Sequence, residues 1–282
     1  MKINKIYNWG LEKLKKSGVT NYKNEIKWIF ESEEISYNEF ITNPQKNLDF
    51  RKLLRLIIKI FKRSKRYPLQ YIIGEEEFLG LKFKVNKNVL IPRPETEILV
   101  QEAIKILNKN SKVLDIGCGS GAIGLTLKYY RSDLDITMSD ISKKALKVAK
   151  ENCNILLGNT SSVKFVYSNL FSKIDSKFDA ILSNPPYITK EEKDIIDPEL
   201  KYEPKLSLFC NYKIEFYEKI LISALGHIKN KGLIIFELGF NTDKYLENVF
   251  KENEIIKKNY IIKRFTPDNY GMNRVCIIEY LK

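Results

Sequence analysis

Apolar positions change their spacing twice along the chain. In the first part they recur every three or four residues. "YNWGLEKLKKSGV", "NYKNEIKWIFESEEI" and "DFRKLLRLIIKIFKRSKR" each carry one apolar stripe on a charged background, the mark of amphipathic helices. Pro44 and the Asn-rich "ITNPQKN" separate the second from the third. This predicts a compact helical domain over residues 1–75. Across 76–92 the period drops towards two. "EFLGLKFKVNKNVLIP" alternates around Phe83 and Val85 and, with its Asn-Lys-Asn turn, predicts a β-hairpin. The Pro-Arg-Pro corner of "IPRPETEILVQEAIKIL" then feeds an amphipathic helix, with Thr96 as its expected cap.

Over residues 93–282 short, nearly continuous apolar runs replace the stripes. The expected strands are "KVLDIG", "DITMSD", "VKFVYS", "DAILSN", "GLIIFELG", "EIIKKNYIIKRF" and "RVCIIEYLK". Helices are expected between the first five. The last two follow each other directly, as an antiparallel edge pair would. The pattern predicts an α/β fold, a doubly wound, mostly parallel seven-stranded sheet with helices on both faces. No run reaches the roughly 20 apolar residues that span a bilayer. The N-terminus has no signal-peptide core. A cytoplasmic protein with no membrane partner is the expectation.

Composition narrows the chemistry. The four cysteines, Cys118, Cys153, Cys210 and Cys276, are far apart and form no C-x-x-C pair. Buried free thiols are expected, with neither a zinc site nor a disulfide framework. The single histidine, His227, falls in a stretch read as helical, "FYEKILISALGHIKNKG". A histidine triad or metal cluster is therefore not expected. The net charge of +13 suits a polyanionic partner. It equally suits a Lys-, Ile- and Asn-rich compositional bias, so charge does not decide function.

Two motifs carry chemistry. "VLDIGCGSGAIGLTL" runs strand, turn, helix, with Gly117, Gly119 and Gly121 alternating through the turn. Glycines there allow positive φ and close approach of a ligand. Asp115 precedes the turn, where a carboxylate would repel a pyrophosphate and attract a cationic or amine-bearing ligand. Asp140 ends the next strand, a place from which an acid can accept from both ribose hydroxyls. Two acids, a glycine turn and no P-loop lysine point to S-adenosylmethionine, which has a ribose, a sulfonium and an ammonium but no phosphate.

The second motif is "SNPPYI" at the end of the fourth strand. Pro185 and Pro186 cannot donate to a ladder, so the chain leaves the sheet there in a stiff, extended form. A planar amide or aromatic amine is a poor nucleophile but a good donor. The side-chain oxygen of Asn184 and the carbonyl of Pro185 can accept both of its N–H groups and hold its nitrogen facing a methyl donor. Tyr187 can pack on the flat group. Positioning of this kind lowers a barrier by up to roughly 7–11 kcal/mol in the ideal limit.

Taken together, "VLDIGCGSGAIG", "MSDIS" and "SNPPYI" resemble class I, Rossmann-like S-adenosylmethionine methyltransferases that modify amide or amino nitrogens. "YPLQYIIGEEEFLGLKFKVNKNVLIPRPETEILV", "YEPKLSL", "EFYEKI" and "DNYGMNRV" closely resemble the release-factor glutamine methyltransferase family. The resemblance implies methylation of the glutamine in the Gly-Gly-Gln motif of class I peptide chain release factors, giving N5-methylglutamine. It implies that Gly117, Cys118, Gly119, Ser120 and Gly121 cradle the methionine part of the cofactor and that Asp140 holds the ribose. The resemblance further implies that Leu170 packs on adenine and that Asn169, standing where the family commonly has Asp, accepts from the adenine amine. It implies that Asn184, Pro185, Pro186 and Tyr187 bind the glutamine side chain and that Phe78 helps wall its pocket. By the same resemblance the N-terminal helices are expected to recognise the release factor away from the reacting atoms, with no nucleic acid required and a monomer expected. "FCNYKIEFY" replaces the family's glycine-rich turn before its "DFY" helix. An alternative remains in the Asn-Pro-Pro-Tyr motif itself: an adenine-N6 or cytosine-N4 nucleic-acid methyltransferase would use the same residues, with Tyr187 stacked on a flipped base.

Overall fold

The computed structural model describes residues 1–194 and 196–282. It forms two compact units: Met1–Glu75 with Asp197–Tyr202, and Glu76–Ile196 with Glu203–Lys282.

The first unit is helical: α1 (Ile3–Lys16), α2 (Tyr22–Glu31), α3 (Tyr37–Thr42), α4 (Phe50–Ser64) and α5 (Leu69–Ile73). Its core is the apolar stripe of each long helix, with Ile3, Ile6, Leu14, Ile26, Ile29, Leu56 and Ile60 all out of water. The short α3 has little periodicity of its own. It exists because Ser36 caps it, accepting from Glu39 N at 3.1 Å. The segment Asp197–Tyr202 is tied to this unit by charge. Arg63 pairs with Glu25 and, at 2.9 Å, with Glu199, which also takes both forks of Arg66 at 2.7 and 2.8 Å. Arg63 is almost fully buried, so this multidentate pairing is what makes its desolvation tolerable.

The second unit begins with a hairpin, β1 (Glu75–Phe78, whose first residue closes the helical unit) and β2 (Leu81–Lys84). Its turn is Leu79-Gly80, both at positive φ (47° and 73°), rather than Asn-Lys-Asn. Asn86 instead closes a turn beyond the hairpin, its side chain accepting from Asn88 N at 3.0 Å. Helix α6 (Pro94–Ile106) follows, with Arg93 at its N-cap and Pro94 at its first position. Thr96 is therefore inside the helix and buried, not its cap.

Next come β3 (Lys112–Ile116), α7 (Ala122–Tyr130), β4 (Asp135–Asp140), α8 (Lys143–Leu157), β5 (Lys164–Tyr167), β6 (Phe178–Ser183), α9 (Lys205–Leu208), α10 (Glu215–Ala224), β7 (Ile228–Glu237), α11 (Thr242–Glu252), α12 (Glu254–Asn259), β8 (Tyr260–Pro267) and β9 (Asn273–Tyr280). The seven strands β3–β9 stand in the order β5-β4-β3-β6-β7-β9-β8. All pairs are parallel except β7–β9 and β9–β8. This is the doubly wound sheet with an antiparallel edge that the alternating pattern predicts. One face packs Leu182, Ile235 and Ile277 under Leu99, Val100 and Leu125. The other packs Ile181, Phe236 and Ile278 against Tyr217, Leu221 and Leu246.

Three local expectations are corrected. "EIIKKN" is the helix α12, because Asn253 caps it by accepting from Ile255 N and Ile256 N (3.1 and 3.2 Å); the strand starts at Tyr260. Between β5 and β6 there are turns and no helix. Ser168 Oγ donates to Leu170 O at 2.8 Å and accepts from Lys173 N at 3.1 Å, offering the backbone a competitor to helical bonding. His227 lies in the turn after α10, its ring stacked on Phe171 with centroids 4.9 Å apart. The four cysteines are free and buried, as expected. No helix of the described residues is long and apolar enough to cross a membrane, and no group of three or more His, Cys, Asp or Glu among them could hold a metal ion.

Candidate active site

Parallel pairing sets the carboxyl ends of β5, β4, β3 and β6 side by side. Ligands of open α/β sheets bind beyond such ends, where the strand order reverses. Loops from all four ends line one cavity of about 350 Å3, within the roughly 300–1,000 Å3 usual for small-molecule sites.

The loop after β3 supplies one end of it. Gly117, Gly119 and Gly121 have φ of 72°, 56° and 88°, which residues with a Cβ adopt only under strain. Gly117 N and Cys118 N donate to Ser139 O at 2.9 and 3.0 Å, which curls the loop over β4. Gly117, Cys118, Gly119 and Ser120 line the cavity, and a Cβ on Gly117 would meet nothing within 4 Å. Gly121 does not line it. It stands behind, at the N-cap of α7, where a Cβ would come within 2.8 Å of Leu125.

The two acids part company. Asp140 lines the cavity, with Oδ2 accepting from Gly119 N at 2.9 Å and Oδ1 from Ser142 N at 2.7 Å. Burial raises its pKa against those two bonds. Each oxygen keeps a lone pair for a ligand donor. Asp115 is wholly buried beneath the loop and does not line the cavity. Its Oδ2 accepts from Gly124 N at 3.0 Å and its Oδ1 has no hydrogen-bond partner. Burial pushes this carboxyl up to about 7 despite the Gly124 bond, and the nearby Asp140 adds to the rise.

Asn169 and Leu170 line the cavity beyond β5, Asn169 exposed and Leu170 at a φ of 49°. Beyond β6, Ser183 Oγ donates to Ile116 O at 2.9 Å and fixes the strand exit. Asn184, Pro185 and Pro186 then line the cavity. Tyr187 does not. Its ring lies against Gly239, where a Cβ would come within 2.4 Å of it. Burial, then the neighbouring Glu237, raise its phenol. Phe78 is also away from the cavity, buried in the core with its ring edge-on to Phe83 at 6.0 Å.

Several site residues carried no motif of their own. Thr96 Oγ1 lies 3.3 Å from Asn184 Nδ2. Glu237, at the end of β7, is buried, and the Thr96 hydroxyl favours its charged form. An acid closing the apolar run "GLIIF" repeats the signal of Asp140 closing "ITMS", and could have been found by it. Glu203 accepts from Ile91 N at 3.0 Å and pairs with Arg93, so it locks the Pro-Arg-Pro corner. Ahead of α10, Glu215 does the work of the absent glycine turn: Asn211 donates to its carboxylate through N (2.6 Å) and Nδ2 (3.0 Å). Chemically, the cavity offers an acid and glycine backbone at one end, and at the other Asn184 and Pro185, each of which carries a carbonyl oxygen that can accept.

Comparison with known proteins adds to this geometry. Residues 94–200 match the family model described as "Methyltransferase small domain", and residues 5–74 match "PrmC N-terminal domain". The chain is 38% identical to the release factor glutamine methyltransferase of Fusobacterium nucleatum, over 97% of this chain and 78% of that protein. It is 32% identical to the one from Enterococcus faecalis, over 97% of this chain and 98% of that protein. Among solved structures, a methyltransferase from Pyrococcus furiosus superposes with a TM-score of 0.53 at 19% identity, covering 82% of this chain and 98% of the other. That likeness concerns the fold.

Proposed function

The chain belongs to the release factor glutamine methyltransferase family, and from that premise we propose how its residues divide the work. It is an S-adenosylmethionine-dependent methyltransferase acting on the side-chain amide of a release-factor glutamine. We assign as its target the glutamine of the Gly-Gly-Gln motif of class I release factors, and as its product N5-methylglutamine. Such a substrate places the reaction in the cytoplasm.

The cavity fits the cofactor. Its positive-φ glycines leave open space, Asp140 keeps free lone pairs for ribose hydroxyls, and Leu170 with Ile141 and Ala145 offers an apolar wall for adenine. The glycine loop contains no lysine to hold a phosphate. When bound, S-adenosylmethionine supplies a methyl group on a positively charged sulfur. The chain's own residues hold the acceptor. Asn184 Oδ1 and the Pro185 carbonyl accept the two amide N–H groups and orient the nitrogen towards the glycine-loop end. The stiff Pro185-Pro186 exit keeps both acceptors in place. Tyr187, braced on Gly239, supports that exit from behind. No base of perturbed pKa is needed before attack, because the proton can leave after the new bond forms. The helical unit supplies binding energy from a part of the release factor remote from the glutamine.

The observation that carries this reading is that Asn184, Pro185 and the glycine loop line one cavity. Mass spectrometry of the Gly-Gly-Gln peptide from release factor, incubated with and without the enzyme and labelled methyl donor, tests it. One added methyl on the glutamine is expected. Label in DNA and none in release factor would overturn it.

A further inference from the structure

The Asn184 side chain has two ends, an oxygen that accepts and an NH2 that donates. Only one orientation serves the assignment above, and what sets it lies on β7 and α6. Asn184 and Glu237 each follow the paired residues Ser183 and Phe236. On parallel strands they therefore stand level and point to the same face. That face is the one under α6, where Leu182 and Ile235 pack with Leu99 and Val100. Thr96, one turn before Leu99 and 4% exposed, reaches both of them. Its Oγ1 lies 3.3 Å from Asn184 Nδ2, and its hydroxyl favours the charged form of the Glu237 carboxyl.

A threonine hydroxyl has one proton. With that proton donated to the Glu237 carboxylate, the oxygen can only accept from Asn184. It must then face Nδ2, which leaves Oδ1 for the cavity. We propose that Glu237, acting through Thr96, holds the Asn184 amide in the orientation that presents its oxygen to the substrate nitrogen. Thr96 and Glu237 are thus positioning residues for methyl transfer, an inference that rests on the glutamine reading above. The arrangement is sparse: Glu237 Oε2 is buried with no hydrogen-bond partner of its own.

The chain of bonds depends on the charge of Glu237. Burial lifts its carboxyl to about 7; the Thr96 hydroxyl, Arg274 and Arg93 pull it down, and Glu95 pushes it up. Tyr187 and Tyr217 also face it, and both phenols are raised and stay neutral. Above that value the carboxylate accepts from Thr96. Below it the protonated acid donates to Thr96, the threonine proton turns towards Asn184, and the amide reverses. Turnover should therefore fall as the pH drops through about 7.

The test uses release-factor methylation by the full chain at saturating methyl donor, from about pH 6 to 9. Thr96→Val should lower kcat about 10- to 100-fold with the release-factor KM within about twofold, because an oriented acceptor is lost in the transition state only. Thr96→Ser should recover most of that loss. Glu237→Gln, which cannot ionise, should erase the acidic limb near pH 7. Calorimetric affinity for S-adenosylhomocysteine should stay within about twofold in all three, since the cofactor end is untouched. Three results would overturn the inference: Thr96→Val matching Thr96→Ser, Glu237→Gln keeping the limb, or the Thr96→Val loss appearing as lost cofactor-product binding. Absence of methylation by the unaltered chain would instead sink the glutamine reading, and this inference with it.

Discussion

The cavity is built in two different ways at its two ends. At the glycine-loop end the positioning groups are backbone. Gly117 N, Cys118 N and Gly119 N are held by Ser139 and Asp140 of the next strand, and a buried acid, Asp115, is held by the first turn of α7. At the Asn184 end the positioning groups are side chains brought from distant parts of the chain. Thr96 comes from α6, Glu237 and Gly239 from β7 and its exit, and Glu203 and Arg93 pin the corner that starts α6. Both ends rest on a buried carboxyl lifted to about 7. One is answered by a neighbouring amide and the other by a hydroxyl from another element. The side-chain end lets one residue type at one position decide how an amide is oriented.

The sharpest break between the two ends is Asn184→Ala. It removes the acceptor we propose for the substrate nitrogen and leaves the glycine loop alone. We expect kcat to fall at least about a thousandfold, since positioning is most of what this site contributes. S-adenosylhomocysteine affinity, measured by calorimetry, should change less than about threefold, because the two groups do not touch. Loss of both together would mean the ends are not separable.

Asp140→Ala is the mirror experiment. It removes the acceptor we propose for the ribose and also frees Gly119 N and Ser142 N, two backbone donors that Asp140 now satisfies. Cofactor affinity should fall about 10- to 100-fold, the worth of one or two charge-assisted hydrogen bonds. At saturating cofactor, kcat should recover to within about tenfold of the unaltered chain. A kcat that stays low at saturation would show that this acid acts on the reacting atoms as well.

These contrasts also explain what could be read in the sequence. The glycine end is contiguous: "VLDIGCGSGAIG" and "MSDIS" hold the loop and its acid, so pattern and spacing reach it. Even there, the exposure of each acid was not legible. Asp115 stands one residue before the end of β3 and Asp140 ends β4, but their depths differ because Asp115 lies under α7. The Asn184 end is scattered. Nothing local in "IPRPETE" marks Thr96 as more than a helix-start residue. Its role appears once β6 and β7 are paired and α6 is laid across them. The doubly wound sheet and its antiparallel edge were legible because alternation and the right-handed crossover leave few choices. The α12 helix was not, because a single Asn253 cap outweighs the β-leaning "EIIKKNYII" around it.

Gly239→Ala probes how far the side-chain end depends on close packing. A Cβ there would come within 2.4 Å of Tyr187 Cδ2 and 2.6 Å of its Cγ, so the ring must move. Because Tyr187 directly follows Pro186, the displacement passes into the strand exit. We expect kcat to fall about tenfold, in keeping with the sensitivity of positioned groups to shifts below an ångström. Cofactor-product affinity should be unaltered. The overall melting temperature should drop by about 2–4 °C, the shift expected for roughly 1 kcal/mol in a domain of this size. Unchanged kcat would mean that the ring adapts without moving Asn184.

The smallest effect should come from Asn169→Asp, at the backbone-built end. Asn169 lines the cavity at its exposed rim, and its N–H is already held by Ser172 Oγ at 3.3 Å. In the proposed arrangement its amide oxygen is a neutral acceptor for the adenine amine, whereas a carboxylate accepts about twice as strongly. Exposure screens that gain, so about 0.5 kcal/mol should survive, or about a two- to threefold rise in cofactor affinity. The rise should shrink on going from low salt to about 0.5 M, where the Debye length falls below the width of the site. Turnover at saturating cofactor should not change, because adenine is remote from the transferred methyl group. A fall in affinity instead would show that Asn169 serves through its NH2, as a donor to a ring nitrogen. The polarity of the adenine contact would then be the reverse of the one assigned here.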